Sequence, residues 1–231
     1  MIHFISFADG KFKNTLIRIG QEAINSGFFD RVTTFDETFL DEKTLNYCYS
    51  NGRGFGYWSW KSYIVHEYLE KLNYGDILVY SDAGNTININ GKEVFKSYID
   101  FLLKDYNDSI FFQMGHIEKT WSKMDAIDFL DSYDLLETGQ ISACSFLIKK
   151  TDRTVSLIKT WRDICYNHKN LIDDTESKIK NDETFLDHRH DQSIISILVK
   201  KMKIELFEDD TWKYISHNDN SYPINCTRIK Y

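Results

Sequence analysis

The stretch Gly75-Asp76-Ile77-Leu78-Val79-Tyr80-Ser81-Asp82-Ala83-Gly84-Asn85 decides how the chain is read. Residues 76–80 have the pattern of a strand buried on both faces, and the run ends on Ser-Asp-Ala-Gly-Asn, a turn of small and polar residues. A carboxylate delivered to the end of a buried strand, with little side chain around it, suits a ligand that must approach the backbone. Asp82 in that place can hold Mg²⁺ or Mn²⁺, and such an ion neutralises a diphosphate. The plain alternative is an aspartate that caps a turn.

Upstream, Ile2–Phe7 is a short apolar run stopped by Ala8-Asp9-Gly10. Lys13–Ser26 carries apolar residues at helical spacing and stops at Gly27, and Arg31–Phe35 is a second β-rich run. A helix is expected over 41–49 with Asp41 as its cap. A stronger one is expected over 58–72, where Trp60, Tyr63, Ile64, Tyr68 and Leu72 share a face. Downstream, the spacing predicts helices over 93–104, 123–130, 153–167 and 191–201, strands over 109–113, 142–149 and 204–207, and a polar loop over 170–184. Strands that alternate with helices predict an α/β fold with a mainly parallel central sheet and helices on both faces. Ligands of such sheets bind at the carboxyl ends of the strands. Pro223 is the one proline, and no linker or repeat interrupts the pattern, so residues 1–231 read as a single domain.

Composition narrows the function. The chain has 231 residues, 42% hydrophobic and 27% charged, enough to bury a core without a disulfide or metal staple. Cys48, Cys144, Cys165 and Cys226 fit no zinc or redox spacing and read as free thiols. A net charge of -7 argues against a nucleic-acid binder, yet one local Lys/Arg cluster would serve a small phosphorylated ligand. No run approaches the ~20 apolar residues that span a bilayer, and the N-terminus lacks a basic leader region. A cytoplasmic or membrane-peripheral protein is expected. GxxxxGK(S/T), GxGxxG after the first strand, HExxH and GxSxG are all absent, which removes the common nucleotide hydrolases, dehydrogenases, zinc proteases and serine hydrolases as first choices.

Two further segments carry candidate chemistry. In Arg53-Gly54-Phe55-Gly56-Tyr57-Trp58-Ser59-Trp60-Lys61, glycines and an arginine precede a helix, and Arg53 and Lys61 are placed to meet phosphate. Asp187-His188-Arg189-His190-Asp191-Gln192-Ser193 is a dense ionisable run opening an apolar helix. Asp191 could act there as a general base or stabilise positive charge at a sugar carbon, with its basic neighbours keeping it ionised. A plain helix cap is the alternative.

Together these segments resemble a family of small bacterial and large-virus glycosyltransferases with the GT-A fold. The resembling pieces are residues 54–61, 75–84, 117–125, 140–148 and 188–194, in order across most of the chain. The resemblance implies a nucleotide-sugar donor, often a UDP-sugar, bound by the N-terminal half, and a glycan or lipid-linked acceptor bound by the C-terminal half. It implies a hexosyl- or deoxyhexosyltransferase that uses Mn²⁺ or Mg²⁺. The usual Asp-x-Asp is reduced here to Ser81-Asp82-Ala83-Gly84, so Asp82 is the expected metal ligand, with His217 as a possible partner. Phe7, Ala8, Asp9 and Asp36 match the nucleoside side, and Arg53 and Lys61 belong with the donor. Trp121, Lys123, Asp125, Gln140 and His190 match the acceptor side, and Asp191-Gln192 the reacting centre. A nucleotidyltransferase that makes nucleotide-sugars and a catalytically silent binding module are the competing readings.

Overall fold

A computed structural model describes residues 1–213 and 219–230. Its strands are β1 (Ile2–Phe7), β2 (Arg31–Phe35), β3 (Ile77–Ser81), β4 (Thr86–Ile87), β5 (Ser109–Ile117), β6 (Gly139–Ile141), β7 (Ser145–Lys149), β8 (Leu206–Glu208) and β9 (Ile224–Asn225). The helices are α1 (Lys13–Ser26), α2 (Glu42–Ser50), α3 (Ser59–Lys71), α4 (Lys92–Leu102), α5 (Glu118–Trp121), α6 (Met124–Phe129), α7 (Asp152–Asn167) and α8 (Asp191–Lys201). Local chemistry sets several ends. Asp41 accepts from Thr44 N at the start of α2, Thr151 and Thr154 form a reciprocal box at the start of α7, and Gly27 closes α1 with a φ of 66°.

The central sheet has the order β2-β1-β3-β7-β5-β6, with β8 added on β5. β1, β2 and β3 run parallel, β7 is antiparallel to β3 and β5, β6 is antiparallel to β5, and β8 is parallel to β5. Five of the seven described strands therefore share one direction, as the alternating pattern predicts, and β6 and β7 run against it. The strand expected over 142–149 is shorter: residues 145–149 pair with β3 and β5, residues 139–141 just upstream form a separate strand on β5, and the 142–144 loop between them opens onto the strand ends. β4 and β9 form a separate ribbon that ties the C-terminal segment to the body of the fold.

Side chains of a strand alternate between faces, so each central strand feeds two cores. Ile5, Leu78, Tyr80, Phe146 and Ile148 pack against Trp60, Ile64 and Leu69 of α3, Trp161 of α7 and Ile194 of α8. Phe4, Val79 and Leu147 point the other way, onto Leu16 and Ile19 of α1 and Phe95 and Tyr98 of α4. The alternation has a consequence one residue past the end of β3: the series Leu78, Tyr80, Asp82 directs Asp82 to the α3 side. Among the described residues, no helix is long and apolar enough to cross a membrane.

Candidate functional site

A cleft of about 890 Å³ lies at the carboxyl ends of β1 and β3, where ligands of such sheets bind. Phe7, Ala8 and Asp9 line it from the end of β1, Asp82, Ala83 and Gly84 from the end of β3, Arg53 from the approach to α3 and Lys61 from its first turn, and His190, Asp191 and Gln192 from the start of α8. The described C-terminal segment closes one side. Ile229 N donates to Gly84 O at 2.9 Å, and Thr227 Oγ1 donates to the same oxygen at 3.1 Å. This fixes Arg228 and Lys230 on the rim. Lys11, Arg53, Lys61, Arg189, Arg228 and Lys230 face the cleft, against Asp9, Asp82, Asp187 and Asp191. In a chain with 35 acidic and 28 basic residues, this local surplus of cations suits an anionic ligand.

The floor is a triad of charges centred on buried Lys61. Lys61 is 3% exposed, and its Nζ lies 3.0 Å from Asp82 Oδ1 and 3.9 Å from Asp191 Oδ2. The same ammonium donates to Ala143 O at 3.0 Å, and Tyr80 Oη donates to Asp82 Oδ1 at 2.6 Å. Burial alone would lower the Lys61 pKa, but Asp82 and then Asp191 outweigh it and hold the ammonium charged. One cation cannot neutralise two carboxylates. Burial pushes Asp191 up to about 7, opposed by Lys61 and reinforced by Asp82. The basic neighbours in sequence do not keep Asp191 ionised, contrary to the expectation above. Burial holds His188 and His190 below the usual imidazole range, and the Arg189 guanidinium sits 4.0 Å over the Trp121 ring.

Asp191 is held firmly. Its carbonyl accepts from Trp161 Nε1 at 3.0 Å, and its side chain opens α8 over a packed core. Gln192 beside it is occupied at both ends: Oε1 accepts from Ala143 N at 3.1 Å and Nε2 donates to Gln140 Oε1 at 2.8 Å. Gln192 therefore ties α8 to the 142–144 loop.

The glycine-rich approach is unusual backbone. Gly54, Phe55, Gly56, Tyr57 and Trp58 have φ values of 56°, 50°, 81°, 54° and 56°, one left-handed turn. Left-handed conformation costs about 1–2 kcal/mol for each residue that has a Cβ. Ring packing offsets that cost. Trp60 lies 4.1 Å from the Phe7 ring and donates from Nε1 to Gly54 O, while Phe55 stacks at 6.4 Å from Phe7. Two glycines have no substitute here, because a Cβ on Gly54 would meet the Trp58 ring at 2.4 Å and one on Gly56 would meet Cys48 Cα at 2.8 Å.

Several expected site residues stand elsewhere. Asp36 caps the turn Glu37–Phe39 through Thr38 N, and Ser81 is fully buried, accepting from Asn85 Nδ2. Lys123 is buried with its Nζ on Asp173 O and Thr175 O, and Asp125 gathers Lys178 N, Ile179 N and Ser177 Oγ. Both secure the polar 170–184 segment rather than facing the cleft. Gln140 and Trp121 form a layer behind it: Gln140 bonds Gln192, Ser122 and Ser193, and the Trp121 carbonyl accepts from Arg189 N and Ser193 Oγ. Arg53 lines the cleft but is already paired, with Asp174 at 2.8 Å and Asp187 at 2.5 Å. His217 lies outside the described residues. Residues not anticipated from sequence are Tyr80, Arg228, Lys230 and the acceptor pair Asp174 and Asp187. Asp187 left a signal as the first residue of the ionisable run 187–193, and Tyr80 as a polar-tipped residue inside an apolar strand two positions before Asp82.

No group of three or more His, Cys, Asp or Glu that could hold a metal occurs among the described residues. A divalent ion held by one carboxylate, with phosphate and water completing its shell, needs less. Asp82 fits that mode: its side chain is 27% exposed, and its two hydrogen-bond partners both fall on Oδ1.

No protein-family model and no curated protein matches the sequence. Solved structures resemble it in chain trace. A glycosyltransferase involved in the glycosylation of the major capsid of PBCV-1 is 13% identical, with a TM-score of 0.44 over 72% of this chain and 66% of that one. Mouse xyloside xylosyltransferase 1 is 11% identical, with a TM-score of 0.49 over 100% of both chains. A protein described as a glucose-1-phosphate thymidylyltransferase, from Bacillus anthracis, is 7% identical, with a TM-score of 0.43 over 100% of this chain and 97% of that one. This chain spans about two thirds of the viral enzyme's length.

Proposed function

We propose that the chain is a GT-A-type glycosyltransferase that moves a sugar from a nucleotide-sugar, a UDP-sugar in the first instance, to a glycan or lipid-linked acceptor. The observation that carries this reading is the pair Asp82 and Asp191 on either side of buried Lys61, at the floor of a cation-lined cleft. Asp82, partly exposed at a strand end, would hold Mn²⁺ or Mg²⁺ together with the diphosphate. When bound, such an ion neutralises charge on the leaving nucleoside diphosphate. Arg189, Arg228 and Lys230 add positive charge around the same anion. Asp191 is the carboxylate for the reacting carbon. Ionised, it takes the acceptor hydroxyl proton in an inverting reaction or supports the cationic sugar in a retaining one. Its buried Oδ2 has no hydrogen-bond partner and faces the Lys61 ammonium at 3.9 Å.

The test is incubation with a panel of nucleotide-sugars and Mn²⁺. Release of nucleoside diphosphate supports transfer. Pyrophosphate formed from sugar phosphate and nucleoside triphosphate would replace this reading with nucleotidyl transfer, and saturable binding without turnover would replace it with a silent binding module.

A further inference from the structure

Two of the four free cysteines, Cys144 and Cys226, meet on the cleft wall. Cys144 ends the 142–144 loop, and Cys226 follows β9 in the C-terminal segment. Backbone bonds bring the two stretches to one place. Asp82 N donates to Cys144 O at 2.8 Å, and Asn85 Nδ2 donates to the same oxygen at 3.1 Å. Thr227 Oγ1, one residue past Cys226, donates to Gly84 O at 3.1 Å. Both stretches thus hold the turn 82–85, and their thiols meet in a hydrogen bond between the two sulfurs.

The direction of that bond follows from counting hydrogens. Thr211 Oγ1 donates to Asp209 Oδ1 at 2.6 Å, so it accepts from the Cys226 thiol at 3.1 Å. A thiol has one hydrogen. The hydrogen shared by the sulfurs therefore belongs to Cys144 and points at a Cys226 lone pair. Cys226 is 1% exposed and is fixed by its own N–H on Thr211 O, whereas Cys144 is half-buried. An oxidant that enters the cleft meets Cys144 first and finds a second thiol already against it. Cys48 and Cys165 are buried, and neither lines the cleft.

We propose that Cys144 and Cys226 form a redox-modification site, where hydrogen peroxide converts the thiol pair into a disulfide that locks the C-terminal segment onto the 142–144 loop. The Cys144 sulfur attacks one peroxide oxygen and the O–O bond breaks. The thiol proton leaves with the other oxygen as water, and Cys144 carries a sulfenic acid. The Cys226 sulfur then attacks the Cys144 sulfur, the S–O bond breaks, and the Cys226 proton leaves with the hydroxyl as a second water. Two electrons pass from the thiols to the peroxide. In the thiol form, hydrogen bonds alone join Cys226 to Cys144 and Thr227 and Ile229 to Gly84. The disulfide makes the first of these joints covalent and fixes Arg228 and Lys230, just beyond it, at the rim.

The experiment treats the purified full chain with stoichiometric hydrogen peroxide and reads free thiols, peptide maps and amide exchange in wild type, Cys144→Ser and Cys226→Ser. The expected result is that wild type falls from four free thiols to two, yields a peptide pair joined through residues 144 and 226, and recovers all four with dithiothreitol. Exchange over residues 224–230 should be slower in the oxidised protein. Cys226→Ser should stop at a sulfenic acid on Cys144, trapped by dimedone. Retention of all four thiols in wild type, a link through Cys48 or Cys165, dimers joined through Cys144, or sulfinic acid on Cys144 without a link overturns the site. A link between 144 and 226 with unchanged exchange overturns the lock. If Cys226→Ser does not fold, Cys144→Ser decides: loss of two thiols from that variant overturns the pair, and retention of all its thiols supports it.

Discussion

Lys61 Nζ lies 3.0 Å from Asp82 Oδ1, inside the fold rather than on its surface. Asp82, a strand-end aspartate, therefore contributes to folding as well as to the cleft. Removing one member of a buried ion pair leaves the other charged and unpaired, at about 3–5 kcal/mol for a fully buried pair. Asp82 is partly exposed, and Asp191 and Ala143 O remain near Lys61, so roughly 3 kcal/mol or less is expected for Asp82→Ala. Urea denaturation should therefore show a clear loss of stability together with loss of metal-dependent nucleotide binding. Lys61→Ala should also destabilise, because it leaves two carboxylates facing each other. A Lys61→Ala protein of wild-type stability that lost only nucleotide affinity would show that Lys61 serves the ligand and not the fold.

The left-handed turn gives a prediction about backbone alone. Gly56→Ala keeps polarity and nearly all of the volume, yet its Cβ would lie 2.8 Å from Cys48 Cα with φ at 81°. Conformational strain of that kind costs about 1–3 kcal/mol before the clash is counted. Gly52→Ala, where the added Cβ meets nothing within 4 Å, is the control. Comparable denaturation midpoints for the two variants would refute the turn geometry.

Arg53 was expected to contact the donor's phosphates. Its guanidinium instead joins Asp174 and Asp187, two points of the segment that leads into α8. The expected effect of Arg53→Ala is faster amide exchange over residues 172–187, read by mass spectrometry. A loss of nucleoside diphosphate affinity with exchange unchanged would return Arg53 to the phosphates.

Much of the fold was legible because it rests on local periodicity. Ile2–Phe7, Lys13–Ser26 and Arg31–Phe35 stand where apolar spacing and the stop at Gly27 put them. Asp82 was legible as a strand-end carboxylate for the same reason. Its partner was not, since the meeting of Asp82 with Lys61 depends on how α3 crosses β3, and no local pattern encodes that crossing. The same limit explains the acceptor-side residues. Lys123, Asp125 and Gln140 are polar in sequence whether they face a ligand or satisfy buried backbone, and only packing distinguishes the two. Phe55, Tyr57 and Trp58 gave no hint of positive φ, because such residues adopt it only when the surroundings impose it.

Asp191 links stability and catalysis through one proton. Its carboxyl is raised from 3.8 to about 7, first by burial. Between those values the native state holds a proton that the unfolded chain has released. Stability therefore falls as pH rises from about 4 to about 7, and the penalty is constant above that. Asp191→Asn stays neutral throughout, so the variant should be more stable than wild type at pH 8 and lack this slope. A gain of 1 kcal/mol appears as about 2–4 °C in Tm for a chain of this size. Catalysis runs the other way. The ionised carboxylate exists above about pH 7, so kcat/KM should rise with pH through that value in wild type. Asp191→Asn should lose that wave and at least ~10²-fold in rate while binding the donor normally. If Asp191 merely starts the helix, asparagine serves nearly as well, and both the rate and its pH profile would match wild type. Thermal melts at pH 5 and pH 8, run beside the rate profiles, separate the two cases, since a buried catalytic carboxylate predicts higher stability and lower activity in the same variant.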